Sequence, residues 1–199
     1  PTFTKTYPKN TVVTLTAIPA SGYMFLRWEL ALNGPQNPAA ITMSASWTVR
    51  AVFVPTHLTL TTNVSPVSSG TVAPNGQNSY PYGSNVSITA TDSATYYFKQ
   101  WSGAASGTQN PTTVTMDASK TVTAVFDPFL TLTIQTQGSG TVAKFPNQTG
   151  YKLNTVVNMT ATAASGYFFS HWTGSATGSA NPYPITMTVN KNVTAVFAQ

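Results

Sequence analysis

Apolar and polar residues alternate along most of the chain with a period of two. Val13, Leu15 and Ala17 are separated by Thr14 and Thr16, and the same spacing recurs in Val86, Ile88, Ala90 and in Val157, Met159, Ala161. Successive side chains of a strand point to opposite faces, so each run predicts a strand with one buried face. Ile41-Thr42-Met43, Val114-Thr115-Met116 and Ile185-Thr186-Met187 predict a second strand. Val49-Arg50-Ala51-Val52-Phe53, Val122-Thr123-Ala124-Val125-Phe126 and Val193-Thr194-Ala195-Val196-Phe197 predict a third. A short polar stretch such as Asp117-Ala118-Ser119-Lys120 separates the second from the third, which reads as a hairpin.

These runs sit in a repeat. Trp28, Trp101 and Trp172 are 73 and 71 residues apart. Around each, with identical spacing, lie a Tyr five before (Tyr23, Tyr96, Tyr167), a Phe three before (Phe25, Phe98, Phe169) and Asn-Pro nine after (Asn37-Pro38, Asn110-Pro111, Asn181-Pro182). The Phe of Ala-Val-Phe follows at 25 (Phe53, Phe126, Phe197), and a Tyr precedes at 21 (Tyr7, Tyr80, Tyr151). Self-similarity of this kind marks tandem modules. The expected units are 1–54, 57–126 and 129–199, joined by short Pro-bearing linkers that permit little bending. Units two and three open with a strand and a Gly turn, Leu58-Thr59-Leu60 leading to Gly70-Thr71-Val72 and Leu130-Thr131-Leu132 leading to Gly140-Thr141-Val142. The first unit lacks this opening. Two explanations compete: the chain is a fragment of something longer, or strands from another copy complete the unit by β-addition.

Composition narrows the function. Charged residues make up 7% of the chain, against roughly 25% in an ordinary soluble domain. The net charge of +5 comes from nine basic residues spread singly, without the cluster that tracks a phosphate backbone, so no nucleic-acid partner is expected. No apolar run of 18 residues predicts a membrane span. With no cysteine, disulfides and thiolate metal sites are excluded. The four carboxylates (Glu29, Asp92, Asp117, Asp127) and two histidines (His57, His171) recur at no equivalent repeat positions. No catalytic residues, metal ligands or cofactors are therefore expected, and the chain reads as no enzyme.

Gly22-Tyr23-Met24-Phe25-Leu26-Arg27-Trp28 and Gly166-Tyr167-Phe168-Phe169-Ser170-His171-Trp172, followed by Ile-Thr-Met and Val-Thr-Ala-Val-Phe, resemble the divergent branch of the B-repeats of internalin-type bacterial surface proteins. The middle unit departs by carrying Thr95 in place of Gly. The resemblance implies extracellular spacers and stalks, often in adhesin-like proteins, and a β-grasp-like fold with a helical crossover. No amphipathic helix is evident in this sequence, so the expected fold class is all-β: three tandem small β-sandwich or β-grasp-like modules in a linear array, the first incomplete.

The recurring aromatics read as core: Tyr23, Phe25, Trp28, Phe53, Tyr96, Phe98, Trp101, Phe126, Tyr167, Phe169, Trp172 and Phe197. Trp47 is different, because its counterparts Lys120 and Lys191 are turn residues, and it is the candidate interface residue. Asn63, Asn85, Asn147, Asn158 and Asn192 head Asn-x-Ser/Thr sequons and are candidate glycosylation sites. The expected function is an extracellular structural repeat, a stalk, adhesin segment or filament subunit, whose partners are other copies or neighbouring repeats. A carbohydrate- or cell-wall-binding module, with a cell-surface polysaccharide as partner, is the alternative.

Overall fold

The computed structural model describes residues 2–199, and all its regular structure is strand. The first unit contains β1 (Val12–Leu15), β2 (Tyr23–Leu30), β3 (Ala39–Thr42) and β4 (Val49–Pro55). The second contains β5 (His57–Ser65), β6 (Gly70–Ala73), β7 (Gly76–Pro81), β8 (Asn85–Asp92), β9 (Tyr96–Gly103), β10 (Thr112–Thr115) and β11 (Lys120–Pro128). The third contains β12 (Leu132–Gln137), β13 (Gly140–Phe145), β14 (Val156–Ala163), β15 (Phe168–Gly174), β16 (Tyr183–Thr186) and β17 (Lys191–Ala198).

Each unit is a pair of sheets packed face to face. In the second unit the sheets run β7-β5-β11-β9 and β10-β8-β6; in the third, β12-β17-β15 and β13-β14-β16. The period-two pattern explains the layering, because the alternate apolar residues of both sheets turn inward. Leu60, Ile88, Trp101, Met116, Val122, Ala124 and Phe126 form one core, and Met159, Trp172, Met187, Val193, Ala195 and Phe197 form its counterpart. The same aromatic triad stands in every unit. Phe98 lies 4.9 Å from Trp101 and 5.9 Å, edge-on, from Phe126; Phe169 repeats both distances to Trp172 and Phe197.

The expected hairpin does not form. β10 pairs with β8, while β11 pairs antiparallel with β9 and parallel with β5. The polar link between β10 and β11 crosses from one sheet to the other instead of turning back. Likewise β5 and β6 are not paired to each other: β5 lies between β7 and β11, and β6 lies beside β8. Inward residues on both strands of each link force this outcome, since a sandwich core needs one strand from each side.

Polar staples pin the loop that follows each Trp strand to the facing sheet. The side chain of Asn110 accepts a hydrogen bond from the Ala90 amide at 2.8 Å and donates to its carbonyl at 2.7 Å. Asn37 does the same for Ala17, and Asn181 for Ala161. Each Trp indole donates to the carbonyl eight residues on, that of Gln36, Gln109 or Ala180. The loop that makes this possible closes through Gly34, Gly107 and Gly178, whose amides and carbonyls face those of the Trp; Gly107 has φ +84°, which a side chain would strain.

Candidate functional site

The first unit consists of two two-stranded sheets, β1-β3 and β2-β4. Among the described residues, β4 has no parallel neighbour of the kind that β5 gives β11 and β12 gives β17. Beside β1 there is none of the kind that β6 gives β8 and β13 gives β14. Residues 3–8, which stand where β7 stands in the second unit, form no strand, because the strand that β7 pairs with has no counterpart here. The result is a slot with unpaired backbone on both sides.

The slot is apolar. Phe53 is 37% exposed, whereas its counterparts Phe126 and Phe197 are 2% and 4% exposed. Val49 and Ala51 are half-buried where Val122, Ala124, Val193 and Ala195 are fully buried. Trp28 stays buried at 6%, since its own hairpin covers it, and Phe25 still contacts it at 5.1 Å.

Two residues expected in the core are thus corrected. Phe53 faces inward but has no covering strand among the described residues, and Tyr23 is 50% exposed where its counterparts Tyr96 and Tyr167 pack against their cores. Phe25, Tyr96, Phe98, Tyr167 and Phe169 are partly buried, while Trp101 and Trp172 are each 1% exposed. Three indoles enclosed in this way present no flat platform for a sugar ring.

Trp47 is 46% exposed, and its indole donates to the Thr42 carbonyl at 3.1 Å. Lys120 sends its ammonium to the equivalent carbonyl, that of Thr115, at 2.7 Å. Trp47 therefore occupies the lysine's place and keeps the lysine's bond. The five sequon asparagines, Asn63, Asn85, Asn147, Asn158 and Asn192, are all exposed.

The carboxylates are committed to the fold. Glu29 joins Arg50 and Arg27, and these two guanidiniums, Arg50 first, hold its carboxyl below the ordinary glutamate value. Asp127 pairs with Lys99 at 2.9 Å, raising the lysine, and Asp117 with Lys120 at 2.7 Å, lowering the aspartate. Asp92 accepts the Phe98 amide at 2.6 Å. Among the described residues no group of three His, Cys, Asp or Glu side chains could hold a metal ion, and no helix is long and apolar enough to cross a membrane.

The junction between the second and third units is also built from side chains. Tyr97, 8% exposed, packs against Phe129 at 5.3 Å, with the Lys152 ammonium 5.0 Å from its ring centre. Backbone continues the tie, the Phe129 amide donating to Thr95 as the Thr56 amide donates to Gly22.

Two-sheet units of one plan, repeated with the same staples and joined by a few residues, define an all-β tandem-repeat protein. The profile of the divergent InlB B-repeat domain matches residues 2–57, 60–129 and 130–199, and the chain belongs to that family. The family points to a tandem-repeat surface protein. The helical crossover expected from better-known B-repeats has no counterpart among the described residues. No curated protein and no solved structure matches the chain.

Proposed function

We propose that the chain is a load-bearing spacer of an extracellular surface protein, without catalysis, holding what it carries away from the cell. The observation that carries this reading is that the first and last strands of a complete unit are parallel neighbours. β5 runs beside β11 from Leu60↔Lys120 to Ser65↔Val125, and β12 beside β17 from Leu132↔Lys191 to Gln137↔Val196. Tension along the chain pulls the start of one strand against the end of the other. The ladder bonds lie across that direction, so they resist together in shear instead of opening one at a time. A surface with few charges offers little repulsion between neighbouring repeats.

Single-molecule stretching between the termini tests the proposal. The second and third units should each unfold in one step, releasing about 240 Å of extended chain for 70 residues. Both steps should come at higher force than the first unit, which lacks the parallel ladder. Equal or lower forces in the second and third units would refute a mechanical role.

A further inference from the structure

We infer that the outer edge of β12, with the cleft beside it, docks an extended acidic peptide from another polypeptide, which adds as a strand antiparallel to β12.

The second unit shows what belongs on this edge. There β7 lies antiparallel on β5 through the Leu58↔Tyr80, Leu60↔Asn78 and Thr62↔Gly76 pairs. The third unit keeps the first of these as the Leu130↔Tyr151 bridge, in which each amide donates to the other's carbonyl. Six residues join Ala73 to Tyr80, whereas seven join Ala143 to Tyr151. The longer link forms no strand and bonds to itself. The Tyr151 hydroxyl donates to the Pro146 carbonyl at 2.9 Å, and the Lys144 ammonium to that of Gln148 at 2.9 Å. Leu130 directs its amide and carbonyl at Tyr151, and every second residue along a strand aims the same way. Leu132, Ile134 and Thr136 therefore present their backbone groups where the sheet has no strand, since β17 lies on the other side.

A cleft marks the place of the strand. Leu132, Ile134, Val142, Ala143, Lys144 and Asn147 line a volume of about 340 Å³. Ile134 and Val142 are half-buried, whereas Thr62 and Val72, their counterparts in the unit that has β7, are 3% and 5% exposed. The other edge strands of these two units are blunted. β6, β10 and β16 are four residues long, β9 and β15 pair through a bulge, β13 carries Lys144, and β7 ends at Pro81. β12 is Leu-Thr-Ile-Gln-Thr-Gln, six residues without a charge, a proline or a bulge, and such an edge templates pairing.

Charge selects the occupant. Residues 128–199 contain Lys144, Lys152 and Lys191 and no carboxylate side chain. Lys144 lines the cleft with its ammonium on a neutral carbonyl and 5.5 Å from the Tyr151 ring centre. A carboxylate at the place that Asn78 holds opposite Leu60 meets this charge beside Leu132. A second copy pairing β12 to β12 brings another Lys144 and no acid, so it is not the occupant.

The test titrates the capped peptide Thr-Val-Thr-Val-Thr-Glu into the full chain, followed by calorimetry and by hydrogen exchange. Its valines fall opposite Thr136 and Ile134, and its glutamate opposite Leu132. One peptide should bind per chain. The amides of Leu132, Ile134 and Thr136 should exchange at least about tenfold more slowly at saturation, with the second unit unchanged. A peptide with lysine for glutamate should bind at least about tenfold more weakly, and a Lys144→Glu chain should reverse that order. Ile134→Pro removes an outward donor without touching the ladder to β17, and should abolish binding. Absence of saturable binding at millimolar peptide, equal binding of the two peptides, or an order that Lys144→Glu leaves unchanged would overturn the inference. Chains that associate alone, with those three amides already protected, would make a second copy the occupant and equally overturn it.

Discussion

Replacing Gly70 by alanine adds one methyl group where the structure has no room for it. The new carbon would stand 2.5 Å from two atoms of the Phe126 ring and 2.7 Å from the Thr91 carbonyl oxygen. Carbon atoms rest about 3.5–4.0 Å apart, so the ring would have to retreat by about 1 Å. It cannot do so freely, because Phe98 stands edge-on to it at 5.9 Å in a closed core. The carbonyl belongs to β8 and is held in the ladder with β6, so shifting it disturbs the Thr71↔Thr91 pairing. Overpacking of this kind costs about 1–3 kcal/mol, against a gain of about 0.4–1 kcal/mol from stiffening the unfolded chain. A net loss of about 1–2 kcal/mol is expected, confined to the second unit. Native-state hydrogen exchange on the full chain reads this directly, with the third unit as internal control. Amides of β8 and β11 that exchange by global opening of the unit should do so about 5–30-fold faster, and those of β14 and β17 should not change. Exchange as slow as in the parent chain, or slower, would refute the reasoning, since the backbone gain alone would then decide the outcome.

Two further outcomes follow from the same geometry. Asn110→Ala removes both bonds to Ala90, a residue 5% exposed, and leaves its amide and carbonyl without partners. The expected loss is about 2–3 kcal/mol in the second unit, or about 8 °C or more of its melting temperature; a shift under about 2 °C would show that the staple carries no weight. Glu29 has its pKa lowered in the folded state, so its bonds to Arg50 and Arg27 add stability that is present above the ordinary glutamate value and is lost as pH falls through the folded value. In Glu29→Gln the first unit should therefore lose less stability on acidification than the parent does, as read by urea titration across that range; parallel curves would count against the linkage.

The repeat and most of the strands are legible in the chain because side-chain alternation and aromatic spacing are local properties. Val86, Ile88 and Ala90 read as a strand with one inward face from their order alone, and the inward face is buried. The signal for the polar staples is also present, in Asn-Pro nine residues after each Trp, yet nothing local says that the amide reaches back twenty residues to clasp an alanine. The same holds for Trp47: its likeness to Lys120 in position is visible, while the shared bond to a carbonyl five residues back is not.

By itself the sequence determined that this protein is a threefold array of strands, and that each unit is anchored by Phe and Trp. Only the tertiary structure decided which sheet each strand joins, because a link of a few residues can either turn back or cross over, and the choice depends on the core that both sheets must fill. It likewise decided the fate of Phe53 and Tyr23. A side chain's direction follows from its own strand, but its burial depends on the strand that lies across from it, and in the first unit that strand is not among residues 2–199.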